Sequence, residues 1–387
     1  MAGIRASIVL GTSVLGTAVF STALLVLLSG CTPTSPGLST EDPATSEPVT
    51  PAGGPEVLAT GLEAPWSILR LGANSVGSGS TLISERDTAV VKELTADGDL
   101  REIGIIAGVQ PGGEGGLLGL AIDDAGENLY AYLTAASDNR IVRMPLTQNG
   151  DSLALGSEEV VLDGLAKARN HDGGRIAFGP DGMLYATVGD AGDPSNAQDL
   201  GSLNGKILRM TPDGAAPDDN PFPGSLVYSY GHRNPQGIAW DDSGQLYAAE
   251  FGQDTWDEFN RIEAGGNYGW PTVEGKGGGG EFIDPLLQWP TDDASPSGLA
   301  YQRGTFFLAA LKGERVFAIY LSDDGSAGEQ TADAVEWFTG EHGRIRDVAA
   351  GPDDTLWLLT NNTDGRGDPG PDDDKLIQYS LSGLVEG

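Results

Sequence analysis

His171 stands in the stretch NHDGG, directly ahead of the apolar run RIAF and a Pro-Asp-Gly turn. An imidazole exchanges a proton near neutral pH, so His171 is a candidate general base. Gly173 and Gly174 behind it leave room for a ligand. Basic side chains gather at comparable places: Arg233 in GHRNPQG, Lys312 in LAALKG, and Arg344 and Arg346 in GRIRD. Lys and Arg together number 22 against 56 Asp and Glu, a net charge of −34. Cations this scarce are informative when they are aimed at one place. Arg344 and Arg346 alternate on a strand, so one sheet face carries both, which calls for an anion there. Glu114 in GGEGG, Asn234 beside Arg233, and Asp190 in VGDAGD put further polar groups at strand ends. His232 is read as a satisfied structural residue, and His342, in a glycine-rich loop, as solvated.

These residues need a scaffold that brings distant loops together, and the sequence repeats in a way that supplies one. A leading strand, a Gly or Asp turn and an aromatic-rich strand recur in IAFGPDGMLYATVGD, IAWDDSGQLYAAEFG and VAAGPDDTLWLLTNN. Looser copies are LAIDDAGENLYAYLT, LAYQRGTFFLAALKG and PWSILRLGANSVGSGSTLISER. Third strands follow as VVKEL, RIVRMPL, KILRM, RVFAIYL and KLIQYSL. The anchors fall near residues 66, 120, 176, 238, 299 and 348, about one every 50 to 60 residues. No segment keeps a helical period. The reading is an all-β, six-bladed β-propeller of four-stranded antiparallel blades, closed by the strand near Leu376 or by Val57 and Leu58. In a propeller, residues just ahead of the innermost strands converge on one end of the central channel.

Residues 1–30 read as a secretory signal: Arg5, an apolar run from Ile8 to Leu28, then Leu-Ser-Gly ahead of Cys31. Cys31, the only cysteine, sits where a bacterial lipoprotein is cut and lipidated; an uncleaved membrane anchor is the competing reading. Residues 31–54 read as a disordered Thr/Ser/Pro-rich tether, and 55–387 as the propeller. The expected location is extracytoplasmic, lipid-anchored to the bacterial cell membrane. The acidity argues against nucleic acid as a partner.

The run from His171 through GRIAFGPDG, GDAGD, NGKILRM, GHRNPQGIAWD, DEFNRIEAGGNYGWP and RIRDVAAGPD resembles the soluble glucose/sorbosone dehydrogenase family. The resemblance implies a PQQ- and calcium-dependent oxidation of the C1 hydroxyl of aldose sugars to lactones, with electrons passed to an external acceptor. It makes His171 the base, with Asp190 and Arg233 in the catalytic group. It places Glu114, where the family usually has Gln, with Arg233, Asn234, Lys312, Arg344 and Arg346 around the cofactor, and Trp289 at the mouth of the cup. It assigns calcium to Glu258 and the Tyr268 main-chain oxygen, with the Gly252 and Gln253 carbonyls for a cofactor-bound calcium. Two other readings compete: a non-catalytic carbohydrate- or protein-binding propeller lipoprotein, and a calcium-dependent lactonase-type hydrolase with Asp190 and Asn234 as metal ligands.

Overall fold

The computed structural model describes residues 49–150, 152–323 and 330–383. Cys31, the signal segment and the tether up to residue 48 lie outside the described residues. Strand β1 (Val49–Ala59) is followed by blade one, β2 (Pro65–Arg70), β3 (Thr81–Glu85), β4 (Val90–Leu94) and β5 (Leu100–Ile105). Blade two holds β6 (Leu117–Ile122), β7 (Asn128–Thr134), β8 (Asn139–Asn149), β9 (Ser152–Leu155) and β10 (Glu159–Leu165), with β9 added as a short ribbon on the end of β8. Blade three holds β11 (Ile176–Phe178), β12 (Leu184–Val188), the one-turn helix α1 (Ser195–Gln198), β13 (Lys206–Met210) and β14 (Val227–Tyr230). Blade four is β15 (Pro235–Trp240), β16 (Leu246–Glu250), β17 (Trp256–Arg261) and β18 (Leu287–Pro290). Blade five is β19 (Pro296–Gln302), β20 (Thr305–Ala310), β21 (Arg315–Asp323) and β22 (Gln330–Trp337). Blade six is β23 (Ile345–Ala350), β24 (Thr355–Thr360) and β25 (Leu376–Gly383), with β1 as its fourth strand.

Every pairing is antiparallel, and the chain is a six-bladed β-propeller. The six anchor positions fall on β2, β6, β11, β15, β19 and β23, the innermost strands, and β23 packs back onto β2 to close the ring.

Both sequence candidates for closure take part, since β25 pairs with β1 from Val49↔Gly383 through Ala59↔Leu376. The tether boundary at residue 54 is therefore corrected: residues 49–54 lie in β1, and Val49 is fully buried against blade five and six residues. Pro51 and the Gly pair read as loop, but an outer strand is paired on one side only, so a missing N–H is tolerated. The register slips between Ala52 and Glu56, where the glycines sit.

Aromatic side chains fill the space between blades. Tyr247, Phe259 and Phe306 pack with ring centres 4.6 to 5.6 Å apart. Toward the axis the constraint is tighter. A Cβ on Gly119 of β6 would lie 2.4 Å from the Gly174 carbonyl oxygen, and one on Gly237 of β15 would lie 2.3 Å from that of Ser297. Neighbouring blades thus meet backbone to backbone at the channel. This closeness holds the loops ahead of the inner strands in one cluster.

Candidate active site

The loop from Ala168 to Gly174 delivers His171 to one end of the channel. His171 takes a left-handed φ of 65°, and its side chain is buried. Its Nδ1 lies 2.7 Å from Asp190 Oδ1. The two loops can approach because residue 189 is glycine; a Cβ there would sit 2.0 Å from the His171 carbonyl oxygen. Asp190 is fully buried. Burial alone would raise its carboxyl, but hydrogen bonds from His171, Trp270 and the Gly192 N–H outweigh it and hold it below the usual carboxylate range. An ionised carboxylate only accepts, so Nδ1 carries the proton and donates it. Nε2, which has no hydrogen-bond partner among the described residues, is left with its lone pair. That is the tautomer a general base needs.

Asn204 and Lys206 hold the loop that carries Asp190. The buried Lys206 Nζ donates to the carbonyls of Asn196, Ala197 and Asn204 at 2.6, 3.1 and 2.8 Å. Burial pulls this amine down to about 8. Asn196 in turn donates to the Asp190 carbonyl at 3.0 Å.

Glu114 and Asn234 are brought to the base, in supporting positions. Glu114 Oε2 accepts the His171 main-chain N–H at 2.9 Å and lies 3.4 Å from Asn234 Nδ2. Its other oxygen lies 3.6 Å from the Arg366 guanidinium. Arg366 and the cluster of Arg86, Arg233 and Arg346 within electrostatic reach thus balance the charge that Gln would not carry. Asn234 Oδ1 accepts the Gly173 N–H at 3.0 Å and so shapes the His171 loop. Asp190 and Asn234 are therefore committed to holding the base, which removes the two carboxylate and amide ligands that the lactonase reading proposed.

Arg344 and Arg346, flanking the start of β23, are buried. Arg344 meets Asp364 at 3.2 Å. Among the described residues Arg346 hydrogen-bonds to neutral partners, Gln236 at 2.9 Å, Ser297 at 3.2 Å and Asn361 at 3.4 Å. Burial, reinforced by nearby Arg86, pulls its guanidinium down to about 9. The Nε of each is buried with no acceptor. Two buried cations with unused donors are costly in isolation and are the signature of a site for an anion.

Sequence reasoning missed two more. Arg86, just past β3, is buried and paired with Asp87. Arg175 meets Asp347 at 2.9 Å and lies over the Trp66 ring at 4.3 Å, with Arg346 on the same ring at 5.7 Å. Their positions ahead of β11 and after β3 carried the same signal as the residues singled out. Lys312 does not join the cluster. It lies past β20 at the same end of the ring, but more than half exposed and paired with Asp292.

Arg233 lies beside Asp190. Its N–H donates to Glu250, its Nε donates to Gln253 at 3.1 Å, and its guanidinium sits over the Trp270 ring at 5.6 Å. Behind it is a small void lined by Glu250, Gly252, Glu258, Tyr268, Trp270 and Glu274. Burial, with Glu250 next, pushes the Glu258 carboxyl up to about 8. Glu274 Oε1 gathers the N–H groups of Gln253, Asp254, Thr255 and Trp256 at 2.6 to 3.1 Å, wrapping the loop that contains Gly252 and Gln253 around one carboxylate. His232, fully buried, bonds Ser229 and Glu250 through its two ring nitrogens and stacks on Tyr268, as a structural histidine should.

Two expectations are corrected. Trp289 lies on the outer strand β18 and packs on Phe317 of the next blade at 4.7 Å, away from the cup, because an outer strand faces the neighbouring sheet. His342 is half-buried and hydrogen-bonded to Tyr379 at 2.7 Å.

A cavity of about 480 Å3 opens at the other end of the channel, beneath the Arg175–Asp347 pair. It contains none of the residues around His171, so the assignment of the site rests on chemistry and not on cavity size. Replacing Arg346 with Met should raise the stability of the unloaded protein by about 1 kcal/mol, read as a higher melting point, since a buried cation without a carboxylate hydrogen-bonded to it is removed. The same change should weaken binding of the tricarboxylate implied by the sequence at least about tenfold, read by titration calorimetry. A marked drop in melting point with unchanged binding would show the cation to be structural.

Residues 62–371 match the family described as Glucose / Sorbosone dehydrogenase. The PQQ-bound aldose sugar dehydrogenase of Streptomyces coelicolor is 49% identical, with a TM-score of 0.79 over 88% of this chain and 100% of that one. The soluble aldose sugar dehydrogenase of Escherichia coli, in its apo form, is 26% identical, with a TM-score of 0.71 over 86% of this chain and 99% of that one. Quinoprotein glucose dehydrogenase B of Acinetobacter calcoaceticus is 37% identical over 42% of this chain and 41% of that protein. The chain belongs to the glucose/sorbosone dehydrogenase family.

Proposed function

We propose that the protein is a PQQ-dependent aldose dehydrogenase that oxidises the C1 hydroxyl of a sugar to the lactone and passes the electrons to an external acceptor. The observation that carries this reading is the juxtaposition of an imidazole base, its tautomer set by Asp190, with two buried guanidinium groups, Arg344 and Arg346, whose Nε–H donors have no acceptor among the described residues. The residues fit the cofactor: Arg344 and Arg346 offer unused N–H groups to its carboxylates, and Arg233 offers a third guanidinium near the base. Bound there, PQQ supplies an orthoquinone that accepts two electrons from the substrate.

The chain's own residues do the rest. His171 Nε2 takes the proton of the C1 hydroxyl. Asp190 stabilises the imidazolium that results and keeps the ring from turning. Glu114 and Asn234 hold the loop beneath. A non-catalytic binder would need the cations but not a base so prepared.

Calcium is part of the same proposal. Among the described residues no three His, Cys, Asp or Glu side chains form a chelating group by themselves. An ion beside Glu258 would therefore draw on main-chain oxygens such as that of Tyr268, which suits a hard cation. The donor chemistry fits, because the buried Glu258 lies near the carboxylates of Glu250 and Glu274, which raise its carboxyl together with burial. Anchoring through Cys31 completes the proposal; a diacylglycerol-modified N-terminal Cys31 peptide in the mass spectrum of the membrane fraction would support it, and an unmodified one would refute it.

Reconstituted with PQQ and calcium, the protein should reduce an artificial acceptor in the presence of aldoses; no reduction across a broad panel would refute the activity. His171→Ala should lower kcat by about a hundredfold or more while PQQ affinity changes little. Equal turnover would remove His171 as the base.

The pH dependence of calcium binding follows from Glu258. Its folded-state carboxyl is raised, so the folded form holds a proton that the unfolded form releases, and stability contributed at this site falls as pH rises toward about 8. Calcium replaces that proton. The rise in melting temperature on adding calcium should therefore be larger above about pH 8 than near pH 6, and a pH-independent rise would exclude Glu258 as a ligand.

A further inference from the structure

Trp270 touches the base's carboxylate, the Arg233 guanidinium and the void around Glu258. Its indole Nε1 donates to Asp190 Oδ2 at 2.9 Å. Asp190 Oδ1 takes His171 Nδ1 and the Gly192 N–H, both at 2.7 Å. Each oxygen of a fully buried carboxylate therefore has its own assigned donors. The indole itself is held from behind. The Trp270 N–H donates to the Gly231 carbonyl at 3.0 Å, and its carbonyl accepts from Gln198 Nε2 at 2.7 Å. Those contacts tie it to α1 and to the loop ahead of β15. The face of the ring carries Arg233 at 5.6 Å, and its edge lines the void with Glu250, Glu258 and Glu274.

We propose that Trp270 is a positioning residue for the base, its indole N–H fixing which Asp190 oxygen faces His171 and hence the orientation of the imidazole. This rests on the reading of His171 as the base. Without the indole donor, Oδ2 would be a buried, unsatisfied anion free to compete for the imidazole proton or to turn the carboxylate. The charge on Asp190 would also be less dispersed, so imidazolium would be favoured and the base would be released only at higher pH. The charged groups around the ring are Asp190 on Nδ1, Glu114 on the main-chain N–H, Asp172 next in the chain, and Arg233 across from Asp190. Of these, Asp190 is the group that accepts a hydrogen bond from the indole, and Arg233 keeps a ring face when phenylalanine replaces it.

The test is Trp270→Phe, which keeps a ring for Arg233 and the void but removes the donor. In the enzyme loaded with PQQ and calcium, kcat should fall about tenfold with little change in KM. The acid limb of its pH profile should move up by about half a unit. In the unloaded protein, the titration of the His171 ring followed by NMR should shift in the same direction. An unchanged acid limb and ring titration, with only a lower melting point, would overturn the proposal and leave Trp270 a packing residue.

The NMR arm separates this idea from the activity. Wild-type protein that oxidises no aldose would sink the proposed function, while the ring titration in the two proteins would still decide the role of Trp270. Should Trp270→Phe not fold, the wild type decides. One of its seven tryptophan indole N–H signals should move as His171 titrates, and Asp190→Asn should abolish that movement. No such signal would overturn the proposal.

Discussion

Crowding at the axis is the constraint on which the rest of the molecule depends. Six inner strands meet with so little room that Gly119 and Gly237 lie against neighbouring carbonyls. Nothing larger than backbone fits at those points, and side chains that do enter the channel lose their water. Arg175 and Arg346 are both placed there against the Trp66 ring, supported by neutral amide and hydroxyl groups and by one carboxylate, Asp347. The cost of desolvating these cations is carried by the aromatic and apolar packing between blades. What remains is a standing preference for an anion at one end of the ring, in a protein whose overall charge would repel anions.

The site is polarised into two halves that share a wall. On one side, Arg344 and Arg346 each keep a buried Nε–H with no acceptor among the described residues. On the other, the carboxylates of Glu250, Glu258 and Glu274 crowd one small void, with Arg233 at its edge. Arg233 and Trp270 stand between the halves and contact both. Glu114 sits on the cationic side, yet it is an anion that serves the base, and Arg366 reaches across from the loop after β24 to balance it. A neutral amide at 114 would accept the same N–H without needing that loop. Glutamate instead joins blade two electrostatically to blade six.

Much of this was legible in the sequence because the repeat is built from strong local signals. Turns such as Pro180-Asp181-Gly182 stop strands where they should, so all six inner strands and the ends that carry His171, Arg233 and Arg344 were located. Side-chain direction within a loop was not legible. Asn234 looked like a ligand contact and instead holds the loop of the base; Lys312 had the right address and turned outward to Asp292. Trp289 failed for a related reason. Alternation along β18 says that one face is apolar, but not that this face meets the next blade. The Trp270–Asp190 contact joins residues 80 apart through two irregular loops, and no periodicity reports such a meeting.

The join between β1 and β25 has a consequence for how the chain reaches this state. Thr50 and Ser382, 332 positions apart, face each other across the closing pair. Until the last strand has been synthesised, blade six lacks its two outer strands, and the axis, with its uncompensated charge, is held by an open arc. Contacts of such long range are slow to form. The ring is therefore complete only once β25 is paired with β1, so a ligand that binds across the channel would act as a late clasp on the finished ring.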